Sequence, residues 1–105
     1  MKFLLFLALS LVYGPATADT VYMTGNKLRT DLASEKGSEY FVAFGYVMGV
    51  HDTNAGRTVC ASREVKAGQL VLVVKKALEN SPQTLHEPAD DLVRKALELA
   101  FPCKK

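Results

Sequence analysis

The chain has 105 residues, with 13 Lys and Arg against 11 Asp and Glu. This length allows one domain at most, and the near-balanced charge argues against nucleic-acid binding and against an acidic tail. Apolar residues make up 49% of the chain, which is too many for a disordered protein. The sequence shows no fixed-period repeat and no low-complexity tract, so a single folded domain is expected.

The first 18 residues have the pattern of a cleaved export signal. Lys2 precedes an apolar stretch over 3–12, a Gly-Pro pair interrupts it, and Ala16-Thr17-Ala18 forms an A-x-A cleavage site. An uncleaved membrane anchor is the alternative, but this stretch is too short to cross about 30 Å of hydrocarbon as a helix. The sequence therefore predicts export, cleavage after Ala18 and a domain over 19–105 that is not attached to a membrane.

Cys60 and Cys103 are the two cysteines of the sequence, and both lie in the predicted exported part. An even number of cysteines in an oxidising compartment predicts one structural disulfide. Small secreted domains often need such a link because they bury little apolar surface. A redox-active pair is the alternative, but the sequence has no C-x-x-C motif. A metal site needs more ligands than two Cys and two distant His.

Two helices are predicted before the first cysteine. The first runs from Asn26 to about Ser34, with Thr24 or Asn26 as its cap, and ends at the break over 36–38. The second runs from about Glu39 to His51 and is predicted to be the central helix of the core. Its predicted core-facing residues are Tyr40, Phe41, Phe44, Gly45, Val47, Met48 and Val50.

Two more helices are predicted after a short extended piece at Thr58–Cys60. The third covers about Ala67 to Glu79, although its β-branched valines would also suit a strand. It is apolar most of the way round, so it is either fully enclosed or half of a subunit interface that covers Val71 or Leu72. Pro88 begins the fourth helix, whose apolar face holds Ala89, Leu92, Val93, Ala96, Leu97 and Ala100.

The resulting fold class is an all-α domain of four short helices with one disulfide. The disulfide links the connection between the second and third helices to the C-terminus. The sequence lacks nucleophile-elbow, P-loop, zinc-protease and dinucleotide-binding motifs, so neither an enzyme nor a cofactor or metal site is expected. His51 and Asp52 point about 100° apart on a helix and therefore predict no general-base pair.

Several short motifs together resemble the Tai-type family, the periplasmic immunity proteins that neutralise amidase effectors of type VI secretion. The first motifs are Gly25-Asn26-Lys27-Leu28 and Gly45-Tyr46-Val47-Met48-Gly49-Val50, followed by Cys60 and Gly68-Gln69-Leu70-Val71. The later matches are Val73-Val74, Pro82, His86, Pro88-Ala89, Leu92-Val93, Ala96-Leu97 and Phe101-Pro102-Cys103. They occur in the family's order over nearly the whole exported chain.

The chain departs from the family pattern at three places. Family members commonly carry a cysteine near the end of the first helix and another just before the Gly-Tyr motif. Here those regions read Asp31-Leu32-Ala33-Ser34 and Val42-Ala43-Phe44. Lys66 stands where a Thr or Ser commonly caps the third helix. The chain is thus similar to a diverged member.

The resemblance implies a periplasmic all-α homodimer without catalysis, which occludes the active site of a peptidoglycan amidase effector. A small periplasmic stress chaperone, or a binding module with another partner, is the alternative function. A secreted enzyme is a third possibility, but no catalytic motif supports it. An adjacent gene for a small cysteine amidase would favour immunity over the other two.

The polar connection over 80–87 is the predicted partner-binding surface, because the plug of a concave enzyme cleft must protrude. Ser81, Gln83 and His86 offer hydrogen-bond donors and acceptors, and Leu85 offers an apolar anchor. Pro82 and Pro88 restrict the backbone, which lowers the entropy lost on binding. An ordinary connector is the alternative interpretation, and the loop over 52–57 is the rival surface.

Overall fold

The computed structural model describes residues 20–104. Four α-helices account for most of this range: α1 over Gly25–Ala33, α2 over Gly37–Asn54, α3 over Ala67–Glu79 and α4 over Ala89–Ala100. Residues 20–104 form no strand beyond isolated bridges, so the predicted all-α fold class is confirmed. The predicted export signal lies outside the described residues.

The helix ends follow from local chemistry. The Thr24 side chain accepts a hydrogen bond from the Lys27 N–H at 3.3 Å and caps α1, as predicted. Between α1 and α2 the chain turns through positive φ at Glu35 (56°) and Gly37 (88°). At the start of α3, the Gln69 side chain accepts a hydrogen bond from the Lys66 N–H at 2.7 Å. This bond supports the N-terminus of α3 although Lys66 replaces a capping hydroxyl.

Each helix contacts the other three around one core. One buried face of each helix contributes to it, and so does the extended connection before Cys60. The largest fully buried side chains are Leu28, Leu32, Val47, Val59, Val74, Val93 and Leu97. Asp31 is also buried, and its carboxylate forms an ion pair with Lys27 at 2.9 Å. Among residues 20–104, no helix is both long and apolar enough to cross a bilayer.

The predicted disulfide is present between Cys60 and Cys103, whose Cα atoms lie 4.8 Å apart. The Cys60 N–H donates to the Phe101 carbonyl at 2.8 Å, and Val59 forms a bridge with Pro102. The disulfide and these backbone contacts attach the α2–α3 connection to the end of α4, as the sequence predicts.

The predicted core face of α2 is confirmed at Val47, which is fully buried, and wrong at Phe41 and Gly45. Ala43 and Val47 are the buried residues of this helix, whereas Phe41 is 70% exposed and Gly45 is exposed. Tyr40, Phe44, Met48 and Val50 pack at the edge of the core. Because α2 is apolar around most of its circumference, its sequence periodicity does not select one face.

The third helix has the predicted bounds, but one of its two proposed interface residues lies inside. Val71 is 4% exposed and belongs to the core of its own chain. It therefore leaves almost no surface for a second copy to cover. Leu72, its neighbour, is 64% exposed. Neighbouring residues of an α-helix point about 100° apart, so Val71 can lie in the core while Leu72 faces solvent.

Candidate functional site

The connection between α3 and α4 has a fixed backbone. A turn of 3-10 helix covers Pro82–Thr84, and the Thr84 N–H and hydroxyl both donate to the Ser81 carbonyl at 3.1 Å. One turn later, the Glu87 N–H donates to the Thr84 carbonyl at 2.9 Å. These bonds satisfy backbone groups within the connection, so its shape does not depend on a partner.

The same connection is attached to the N-terminus of α1. The N–H groups of Gly25 and Asn26 donate to the carbonyls of Glu87 and Leu85 at 3.0 and 2.8 Å. Both donors are in the first turn of α1, where the helix itself supplies no acceptor. The Ala89 N–H donates to the Met23 carbonyl at 2.9 Å and extends the attachment to the start of α4. The connection is therefore held from both sides.

The structure separates the four predicted partner-binding residues into two groups. Gln83 and His86 are exposed, and Ser81 is half-buried with its carbonyl engaged by Thr84. Leu85 is only 4% exposed and packs in the core, so its prediction as an apolar anchor for a partner is wrong. Its inward side chain instead fixes the connection from which Gln83 and His86 project.

A groove of about 790 Å³ begins where this connection ends. Its walls come from the segment before α1, from one side of α2 and from the first half of α4, and Pro88 lies at its edge. Its lining residues are Thr20, Val21, Tyr22, Met23, Tyr46, Gly49, Val50, Thr53, Asn54, Pro88, Asp90, Asp91 and Arg94.

Two tyrosines stack across this groove. The rings of Tyr22 and Tyr46 have centroids 6.3 Å apart and planes 21° from parallel. Tyr22 is 76% exposed, so it stands over the groove rather than in the core. Burial and then the nearby Asp90 carboxylate raise the pKa of Tyr46, against the opposing effect of a hydrogen bond with the Asp90 backbone. Burial thus disfavours the phenolate form of Tyr46.

The charged residues of the groove are carboxylates and one guanidinium. Arg94 lies 3.1 Å from Glu98 and 3.5 Å from Asp91. Its hydrogen bond to Glu98, followed by the charge of that carboxylate, raises the pKa of Arg94. Asp90 is exposed and takes part in no ion pair within residues 20–104. The groove therefore has a carboxylate at Asp90 that the N-terminus of α4 stabilises but that no Lys or Arg among residues 20–104 pairs with.

His51 and Asp52 are in contact, although neighbouring residues point about 100° apart on a helix. His51 Nδ1 lies 3.0 Å from the Asp52 carboxylate, and the His51 side chain is 19% exposed. Rotation of two neighbouring side chains overcomes their 100° separation on the helix. No cluster of three or more potential metal ligands occurs in the described part of the chain.

The groove is the feature that sequence reasoning missed. Three of its residues, Tyr46, Gly49 and Val50, belong to the motif Gly45-Tyr46-Val47-Met48-Gly49-Val50, which served as a family signature and in predicting the core. A glycine within an apolar helix was the available signal, because it costs helix propensity and therefore indicates a local need for space.

A known protein family matches most of the described chain. The family model described as Rap1a immunity proteins matches residues 24–103, from the cap of α1 to the second cysteine of the disulfide. The chain belongs to this family of immunity proteins. No curated protein matches the chain. The resemblance is confirmed at the level of an immunity family, whereas the Tai-type assignment stays a prediction.

Membership of an immunity family implies that the partner is a cognate effector protein. The family match includes the connection over 80–88 and the α2 and α4 walls of the groove, whereas the groove wall over 20–23 lies outside the matched residues.

Proposed function

We propose that the chain protects its producer by binding and occluding a peptidoglycan amidase effector of type VI secretion. The family match over residues 24–103 carries this proposal. The amidase specificity is supported by the Tai-type motifs, among them Gly68-Gln69-Leu70-Val71 and Phe101-Pro102-Cys103. The protein itself acts without catalysis, by covering the active site of the effector.

The proposed site of action is the periplasm. An export signal cleaved after Ala18 would deliver the chain there, in the compartment where peptidoglycan is exposed to an amidase. The Cys60–Cys103 disulfide supports this location, because such links persist in oxidising compartments.

The proposed inhibitory surface is the connection over 80–88, through Ser81, Gln83 and His86. Gln83 and His86 are exposed on a backbone that is already ordered by bonds to α1, so little entropy is lost when they bind. Leu85 is omitted from the predicted set because it is part of the core. His86 and Gln83 can both donate and accept hydrogen bonds, which suits the polar walls of a hydrolase cleft.

The test uses the effector encoded beside the gene of this protein. Wild-type protein is expected to bind the effector and to abolish its hydrolysis of peptidoglycan. Gln83→Ala/His86→Ala should weaken binding at least tenfold, since central interface residues typically cost about 2 kcal/mol when truncated. Arg63→Ala/Glu64→Ala, a pair of exposed residues in another connection and outside the rival loop over 52–57, is the matched control and should bind normally.

The two parts of the proposal fail separately in this experiment. A wild-type protein that neither binds nor inhibits the neighbouring effector would refute the immunity role against that effector. Full inhibition by Gln83→Ala/His86→Ala would leave the immunity role intact and exclude the connection as its surface.

A homodimer is proposed as the functional assembly. Phe41 and Leu72 are 70% and 64% exposed, and Val42 beside Phe41 is 49% exposed. Large apolar side chains exposed on two helices of so small a domain are typical of an interface. A second copy would cover them by presenting the same surface about a twofold axis.

A further inference from the structure

We infer that the groove between the segment over 20–23, α2 and α4 binds an Arg or Lys side chain that projects from the surface of the effector. This inference rests on the proposed immunity function and adds a second contact with a defined chemistry. Three observations carry it: the position of the groove, its open floor and its charge.

The groove is continuous with the proposed inhibitory surface. Pro88 ends the connection over 80–88 and also lines the groove. The Thr24–Pro88 bridge and the bond from the Ala89 N–H to the Met23 carbonyl fix the two surfaces relative to each other. An effector seated on the connection therefore also faces the groove.

Open space lies over Gly49, which forms part of the floor of the groove. A Cβ added at Gly49 would meet no heavy atom within 4 Å among the residues described. The volume of about 790 Å³ is ample for one long side chain. Val21 and Val50 supply apolar surface for the methylene stem of such a side chain.

The charge of the groove selects a cation. Arg94 is neutralised by two carboxylates, Asp91 and Glu98, whereas Asp90 has no cationic partner among residues 20–104. Tyr22 presents an exposed aromatic ring near this carboxylate, and cations are attracted to the faces of such rings. An acidic or phosphorylated partner would instead be repelled by Asp90.

The decisive experiment compares two groove variants with matched controls in binding to the neighbouring effector. Asp90→Asn removes the charge, and Gly49→Leu fills the floor while raising the helix propensity of α2. Each should weaken binding at least tenfold. Glu79→Gln removes an exposed carboxylate outside the groove, and Gly68→Leu fills open space at an exposed helical glycine of α3, so both should bind within twofold of wild type.

Unaltered binding by both groove variants would overturn the inference, provided that their circular dichroism and sedimentation match the wild type. A loss of affinity in Gly49→Leu alone would also overturn the cationic assignment, because it would show that shape and not charge is recognised. Loss in both variants, with weaker salt dependence in Asp90→Asn, is the expected result.

A second measurement separates this inference from the immunity role. N-acetyl-arginine amide is titrated into the isolated wild-type protein, with N-acetyl-norleucine amide as the uncharged control, and backbone amide signals are followed by NMR. The arginine probe should shift the signals of Tyr22, Gly49 and Asp90, and Asp90→Asn should abolish those shifts. Absent or equal shifts with the two probes would refute the cation site, whether or not the effector binds.

Discussion

Gly25 is the residue at which α1, the connection over 80–88 and α4 meet. Its N–H donates to the Glu87 carbonyl, and a Cβ at this position would lie 2.5 Å from the Leu92 Cδ1 and 2.9 Å from the Leu85 carbonyl oxygen. The Leu85 atom belongs to the backbone, so rotation of a side chain cannot relieve that approach. The space at Gly25 therefore determines how closely the connection can pack on α1.

Gly25→Ala is expected to destabilise the protein by about 2 kcal/mol, because overpacking of a close backbone contact costs roughly 1–3 kcal/mol. Urea unfolding followed by circular dichroism measures this change. Gly68→Ala is the matched control, since its added Cβ meets no heavy atom within 4 Å among the described residues. The Gly68 variant should be as stable as wild type or slightly more stable. Equal unfolding midpoints for Gly25→Ala and wild type would refute the packing role of Gly25.

At the scale of the elements, the α2–α3 connection and the end of α4 depend on one another. The turn after α2 centres on Asn54, whose carbonyl accepts bonds from the N–H groups of Arg57, Thr58 and Val59. The disulfide and the bond from Cys60 to Phe101 then attach this connection to the last turn of α4. The described connection contains no long helix or strand of its own, so these links determine its position.

Cys60→Ser/Cys103→Ser is expected to lower the free energy of unfolding by about 2–4 kcal/mol, mainly because the unfolded chain gains freedom. Cys60 is exposed and Cys103 half-buried, so the serine hydroxyls can reach water and the four helices should still form. Thermal unfolding of oxidised wild type and the variant measures the difference. Ala61→Ser/Ala100→Ser, which adds hydroxyls at neighbouring positions, should unfold like wild type. Identical unfolding of the cysteine variant would show that the disulfide contributes nothing.

At the scale of the whole molecule, the exposed apolar side chains of α2 and α3 favour association with a second copy. Phe41 is 70% exposed and lies on the outer side of α2. The inner side of this helix holds the buried residues Ala43 and Val47. Burial of such surface stabilises a dimer by about 25 cal/mol for each Å² removed from water.

Wild-type protein is therefore expected to sediment as a dimer at micromolar concentration, and Phe41→Glu should shift it to the monomer. The variant places a charge where an apolar contact is proposed, with at least a tenfold weaker dimer as the expected result. Leu99→Glu makes the same change at a residue of α4 that is 85% exposed, and it should remain dimeric. A monomeric wild type, or a dimeric Phe41→Glu, would contradict the proposed interface.

The sequence by itself determined the local elements and the covalent link. The bounds of α3 over Ala67–Glu79 match the prediction, because apolar spacing and the polar segments on either side both define that helix. Thr24 marks the start of α1 through a side-chain cap, and Pro88 stands immediately before α4 with a φ fixed by its ring; both signals depend on a few adjacent residues. The pairing of Cys60 with Cys103 followed from there being two cysteines in the chain.

The tertiary structure alone decided which surfaces are buried. An apolar helix such as α2 has no preferred side until α1, α3 and α4 pack against it, so the burial of Ala43 instead of Phe41 could not be read from spacing. The Leu85 side chain turns inward in a connection that the N-terminus of α1 holds in place. The bond responsible, from the Asn26 N–H to the Leu85 carbonyl, joins residues 59 positions apart in the sequence. The groove likewise joins residues from three distant segments, and its charge and space arise from their meeting.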